Sequence, residues 1–229
     1  MFPDTRWTLV LASRQGGEAR RIALETLLGA YWRPLYLFAR RKGLSAEAAE
    51  DAVQGFFLKL LELDFPDRLD PARGRLRSYL LTGLTRHVVT LHERDTAQKR
   101  GGAARILSLD VLSAERDLPG APDAAVAAFE REWAFVTMER ALRRLGQEYA
   151  DGRRQGPAEP FLAFFGLDEA PSYAEAAAQA GLTVPQFKAA LHRARNRYRE
   201  LLREEVAGTL GSEAGPDEEI SALLRALEP

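Results

Sequence analysis

The chain contains no cysteine, which excludes disulfides, thiolate metal sites and cysteine nucleophiles. Histidine is scarce, at three residues. His87 and His92 do not have the i, i+4 spacing that sets two metal ligands on one helical face. There is no glycine-rich phosphate loop and no Gly-x-Ser-x-Gly elbow. A protein that is not an enzyme, and that uses no cofactor and no metal, is therefore expected. No apolar run approaches the ~20 residues of a membrane span, so no membrane insertion is expected. The opening MFPDTRWTLVLASRQGG has a short apolar patch, Leu9 to Ala12, without a basic region before a long apolar core. It is not expected to be a signal peptide, and the expected compartment is the cytoplasm. Alternating β-branched runs are also missing, so the expected fold class is all-α.

What is present is a composition of 46% hydrophobic and 28% charged residues over 229 positions. That fits one large or two small globular domains. The net charge of −1 hides an uneven distribution. From Arg73 to Arg105 the basic residues Arg73, Arg75, Arg77, Arg86, Arg94, Lys99, Arg100 and Arg105 face only Glu93 and Asp95. From Lys188 to Arg203 there is a second basic run, with Arg193, Arg195, Arg197 and Arg199, against Glu200. Acids cluster at Glu47, Glu50 and Asp51, around Asp110 to Glu132, and in the C-terminal tail. Two basic segments separated by acidic ones point to two places that meet phosphate. Two solvated helix faces would have the same composition.

Helical periodicity runs through most of the chain. An amphipathic stretch from Glu18 to about Arg41 contains Pro34 and ends at Gly43. From Ser45 to Leu63, Ala48, Ala49, Ala52, Val53, Phe56, Phe57, Leu60 and Leu61 form one apolar stripe, with Ser45 as N-cap. Asp64 to Gly74 carries Pro66, Pro71 and Gly74 and reads as a loop. The next helix is expected from Leu76 to Asp95, with Leu76, Tyr79, Leu80, Leu84, His87, Val88 and Leu91 as its buried stripe, before Gly101-Gly102. Residues 108–123 read as a linker. Helices are then expected over Ala124 to Tyr149, Tyr173 to Ala180 and Pro185 to about Val206. Residues 208–229 read as a mobile tail, with a short helix at Ile220 to Leu227.

The most informative stretch is Ser172 to Leu201. Ser172 and Glu175 have capping-box spacing, and so do Thr183 and Gln186. Gly181 lies where a helix ends with positive φ, and Pro185 falls in the first turn of the next helix. This is the layout of a helix-turn-helix. Ala176, Ala177 and Ala180 allow close approach, and Leu182, Phe187, Leu191 and Ala194 fill the space between the helices. The other face of the second helix carries Gln186, Lys188, Ala189, His192, Arg193, Asn196 and Arg199. Such a face can reach base edges and phosphates in a major groove. An ordinary helical hairpin with a basic face is the competing explanation; the paired boxes and the turn glycine favour DNA binding.

At these residues the chain resembles the extracytoplasmic-function (ECF) RNA polymerase sigma factors of the sigma-70 family. Ser172, Tyr173, Glu175 and Ala176, then Lys188, Arg193, Ala194, Arg195 and Leu201, are similar to the domain that binds the −35 promoter element. Tyr31, Pro34, Leu35, Tyr36, Ala49, Glu50, Asp51, Gln54 and Phe57 are similar to the domain that binds the polymerase clamp and the −10 element. The opening TRWTLVLAS and the segment from Arg73 to Gly102 resemble one subgroup of the family. Tyr79-Leu80 and Thr85-Arg86-His87 stand where better-known members have Trp-Leu and Ala-Arg-Asn, and Phe187 stands where Val is usual.

The resemblance implies a sigma factor that directs the RNA polymerase core enzyme to promoter DNA and initiates transcription, with an anti-sigma factor as an optional partner. It implies that residues 1–107 form a region 2-like domain and residues 124–207 a region 4-like helix-turn-helix domain. Glu50, Asp51, Gln54 and Leu58 would bind core polymerase, with Glu62 further along the same face. Arg73, Arg77, Arg86, Thr90, Arg94, Lys99 and Arg100 would hold the −10 DNA, with His92 or Tyr79 as a base contact, although Tyr79 is expected in the core. The Asp64 to Gly74 loop would capture a flipped-out base. Gln186, Lys188, Ala189, His192, Arg193, Arg195, Asn196 and Arg199 would bind the −35 element. Two alternatives stand beside this: an autonomous helix-turn-helix regulator that binds duplex DNA without polymerase, and a pure protein-interaction module.

Overall fold

The computed structural model describes residues 17–62, 76–99, 124–166, 169–207 and 215–227, with backbone alone at 17, 19–28, 61–62 and 93–99. The expected loop from Asp64 to Gly74, the linker at 108–123, the opening segment, Arg73, Arg100 and the side chains of Glu62, Arg94 and Lys99 lie outside this description. The described residues form eight helices and no strand. The fold is all-α.

The helices are α1 (Gly17–Arg41), α2 (Ala46–Glu62), α3 (Leu76–Lys99), α4 (Ala124–Ala150), α5 (Glu159–Leu162), α6 (Tyr173–Gln179), α7 (Val184–Ala207) and α8 (Pro216–Leu227). Their ends follow from local chemistry. Gly43 has φ +92°, and the Gly43 and Leu44 amides close on the Arg40 and Ala39 carbonyls at 3.1 and 3.3 Å, which seals the end of α1. The Ser45 hydroxyl accepts from the Ala48 amide at 3.1 Å and opens α2. Pro34 is buried inside α1.

The chain divides into two compact units, residues 2–134 with 208–229, and residues 135–207. In the first, α1 packs on α2 and α2 on α3. Tyr31, Leu35 and Phe38 of α1 and Val53, Phe56 and Phe57 of α2 are buried with Leu76, Leu80 and Leu84 of α3. The α2–α3 crossing is close because two glycines face it. A Cβ on Gly83 would lie 2.8 Å from the Phe56 ring, and one on Gly55 3.1 Å from Nε2 of His87. Of the expected buried stripe of α3, Tyr79 and Leu91 are exposed and His87 and Val88 half-buried. Leu80 and Leu84 already fill the contact with α2, and position 79 lies off that line.

The first part of α4 belongs with the N-terminal unit, where Ala125, Phe129 and Trp133 are buried and Glu132 pairs with Arg33 of α1 at 2.7 Å. The tail is not merely a mobile extension. Residues 216–227 form α8, which begins one turn earlier than the sequence suggests and buries Glu219 and Leu223 in the same unit. Glu219 meets Arg77 of α3, whose Nε also bonds Glu130 of α4 at 2.9 Å and whose guanidinium lies 4.5 Å from the centre of the Trp133 ring. One buried cation thus joins three helices. Removing one partner of such a group leaves the other charge uncompensated.

Glu219→Ala is expected to lower the stability of the N-terminal unit by about 3 kcal/mol, measured by urea unfolding; a tail that merely hangs free would give no change. Gly83→Ala improves helix propensity, yet it is expected to destabilise by roughly 1–3 kcal/mol through overpacking against Phe56. A stabilised Gly83→Ala variant in the same assay would show that α3 does not approach α2 this closely.

Candidate nucleic-acid interface

The second unit presents α7 on an aromatic bed. Phe161 of α5 stacks on Phe187 of α7 with ring centres 5.0 Å apart and planes 9° apart, and on its other side reaches Tyr149 of α4 at 5.6 Å. Phe164 stacks on Tyr173 of α6 at 5.2 Å and tilts onto Phe187 at 5.6 Å. Phe165 meets Tyr198 edge-on at 5.1 Å. These rings, with Leu191, Ala194, Leu201 and Leu202, bury one face of α7. Burial pushes the Tyr198 hydroxyl up to about 12.

The α6–α7 connection is held by local bonds of the predicted kind. The Ser172 hydroxyl accepts from the Glu175 amide at 3.3 Å, and the Ser172 amide donates to the Glu175 carboxylate at 3.0 Å. The hydrogen bond from the Ser172 hydroxyl holds the Glu175 carboxyl below the usual carboxylate range. Gly181 has φ +66°, and the Gly181 and Leu182 amides close on the Ala178 and Ala177 carbonyls at 3.1 and 2.9 Å. Thr183 and Gln186 repeat the reciprocal pattern, with the Thr183 amide donating to Gln186 Oε1 at 2.9 Å and the Gln186 amide to the Thr183 hydroxyl at 3.4 Å. Together α6 and α7 pack through Ala176, Ala177, Phe187 and Leu191.

The opposite face of α7 is exposed at Gln186, Lys188, Ala189, His192, Arg193, Arg195, Asn196 and Arg199, all eight positions named from the sequence. Several are already ordered. Lys188 Nζ sits 4.9 Å from the centre of the Tyr173 ring. Arg199 donates to Asn196 Oδ1 at 3.1 Å, and Asn196 Nδ2 lies 3.2 Å from His192 Nε2, a polar row along the helix. Arg197 is different. It forks onto Glu148 of α4, with Nη2 at 2.7 Å and Nε at 3.0 Å, and reaches Glu200 and Glu204 through Nη1. Arg144 takes Glu205 at 3.0 Å.

Charge is uneven along α7. Lys188, Arg193 and Arg195 share the N-terminal half with no acid, whereas Arg197, Arg199 and Arg203 share the C-terminal half with Glu200, Glu204 and Glu205. The acids are neutralised by arginines. The N-terminal half keeps a net positive charge, which suits it to an external anion.

Sequence reasoning missed Glu148, Tyr149, Arg153 and Arg154, which line a cleft with Arg193 and Arg197. The only advance signal was the paired arginine of the Asp151–Pro160 loop, between Gly152 and Gly156.

In the N-terminal unit Glu50, Asp51, Gln54 and Leu58 are all exposed, spaced along one side of α2, with Leu58 60% accessible. On α3, Tyr79, Thr82 and Arg86 are exposed and Thr90 partly so. The Thr90 hydroxyl donates to the Arg86 carbonyl at 2.9 Å. Arg77 is corrected: it is 4% accessible and tied to Glu130 and Glu219, so it does not belong to a DNA-facing set. No described helix is long and apolar enough to cross a membrane.

The hydrogen bonds from Arg197, and after them those from Arg154, hold the Glu148 carboxyl below the usual carboxylate range against the opposing effect of burial. A depressed folded-state pKa contributes stability above the ordinary carboxylate range and loses it as pH falls through the depressed value. Glu148→Gln is expected to cost about 2 kcal/mol at neutral pH. The gap from the parent should close as pH drops below about 4. A gap independent of pH in acid titrations of unfolding would show that the carboxylate charge is not what holds α7. In comparisons with known proteins, no family model, no curated protein and no solved structure matches this chain.

Proposed function

We propose that the protein is a sigma factor of the ECF type, which carries the RNA polymerase core enzyme to promoter DNA in the cytoplasm. The observation that carries this reading is the α6–turn–α7 unit: two reciprocal capping boxes around a positive-φ Gly181, presenting a basic, pre-ordered helix face. That geometry supports insertion of the N-terminal half of α7 into a major groove. Lys188, Arg193, Arg195 and Arg199 would meet phosphates or guanine edges, and Gln186, His192 and Asn196 would read bases.

Two further faces support a polymerase-dependent role over an isolated regulator. The α2 face combines carboxylates, an amide and an exposed leucine, a mixture suited to a basic, amphipathic partner helix. The α3 face carries an exposed aromatic, Tyr79, in line with Thr82 and Arg86, which suits base stacking beside a phosphate contact. Chemistry would come from the polymerase.

Size-exclusion chromatography with sigma-free core polymerase tests the reading. Co-elution of the full chain is expected, lost or weakened at least tenfold in affinity when Asp51, Gln54 and Leu58 are all changed to Ala, roughly 1.4 kcal/mol or more. Absence of co-elution at micromolar concentration would overturn it, and tight polymerase-free binding to a palindromic duplex would favour an autonomous regulator.

A further inference from the structure

The cleft beside α7 has a volume of about 550 Å³ and is walled by four guanidiniums, Arg153, Arg154, Arg193 and Arg197, against one carboxylate, Glu148. That carboxylate is already committed. Its two oxygens take the forked Arg197 and, at 3.1 Å, the Nε of Arg154. Arg193 has no acidic partner among the described residues. Arg153 rests on Asp151 at 2.6 Å with its side chain 62% accessible. An exposed pair of this kind exchanges readily with another anion.

The loop that supplies Arg153 and Arg154 is built to a fixed shape. Gly152 and Gly156 have φ +69° and +97°. The Arg154 amide closes on the Glu148 carbonyl at 3.0 Å, and the Asp151 amide on Gln147 at 2.9 Å. Gly156 stands against Phe161, where a Cβ would be 3.4 Å from the ring. The two loop arginines are therefore anchored to the same aromatic bed as α7, which lowers the entropy cost of using them together. Tyr149 adds a hydroxyl to the same wall, its pKa raised mainly by burial.

We propose that this cleft is a phosphate-binding site in its own right, with Arg153 and Arg193 as its grasping residues and the Glu148 cluster as its frame. Arg193 belongs both to the cleft and to the exposed face of α7. A phosphate held here would thus lie at the flank of whatever α7 meets. The favoured source is the sugar-phosphate backbone of a duplex engaged by α7, which rests on the function proposed above; the other source of the same chemistry is a free polyphosphate.

The test uses the full chain, the Arg153→Ala variant and the Arg153→Lys variant. Fluorescence anisotropy with a labelled mixed-sequence duplex is followed over a salt series, and calorimetry follows pyrophosphate binding. With a backbone source, Arg153→Ala lowers the slope of log K against log salt by about one, and Lys restores it. With a free-anion source, pyrophosphate binds the parent, Arg153→Ala weakens it about tenfold, and the duplex slope is unchanged. If Arg153→Ala alters neither slope nor pyrophosphate affinity, the site does not exist. Core-polymerase co-elution is independent of Arg153, so failure there overturns the sigma-factor reading and leaves both the duplex and the pyrophosphate arms to decide the cleft.

Discussion

The stacking of Phe187 on Phe161 is the contact on which the presentation of α7 depends. It is buried, nearly parallel and extended on either side by Tyr149 and by the Phe164–Tyr173 pair. The rings bring four helices to one point. Aromatic pairs add roughly 0.5–1.5 kcal/mol each beyond the area they bury, so the array supplies rigidity as well as cohesion. α7 takes its position from this array. Once it is anchored there and by Arg197 on Glu148, its outer face is free to hold charges that serve something else.

What could be read from the sequence was what is local. Both capping boxes and both helix-ending glycines, Gly43 and Gly181, fall within a few residues of their partners, so spacing alone disclosed them. Seven of the outward positions of α7 followed from helical periodicity because the opposite face of that helix is apolar; Arg195 came from the resemblance. Phe187 has a physical reason in the stack: the segment from Phe161 to Phe164 supplies the two rings that meet it.

What was not legible depends on residues distant in sequence. Arg77 looked like a phosphate ligand because its neighbours are basic, yet its partners come from α4, 53 residues on, and from α8. Tyr79 looked like core because its spacing admits it, whereas Gly83 and Gly55 bring α2 so close that Leu80 and Leu84 complete the contact. The Glu148 cluster was hidden for the same reason: a glutamate near the end of one helix says nothing about an arginine 49 residues later. Net charge was equally uninformative, since much of the acid on α7 is cancelled by arginines of α4.

The burial of Glu219 against Arg77 has a consequence for biosynthesis. The unit formed by residues 135–207 is continuous in sequence. The other unit closes only when α8 arrives. On the ribosome, domains generally mature in the order in which they emerge. Here that order is inverted: the N-terminal unit waits, with Arg77 short of one counter-ion, until residues 216–227 have left the exit tunnel. A product stalled before residue 216 would carry a finished α6–α7 unit together with an N-terminal unit in which Arg77 lacks one of its two carboxylates.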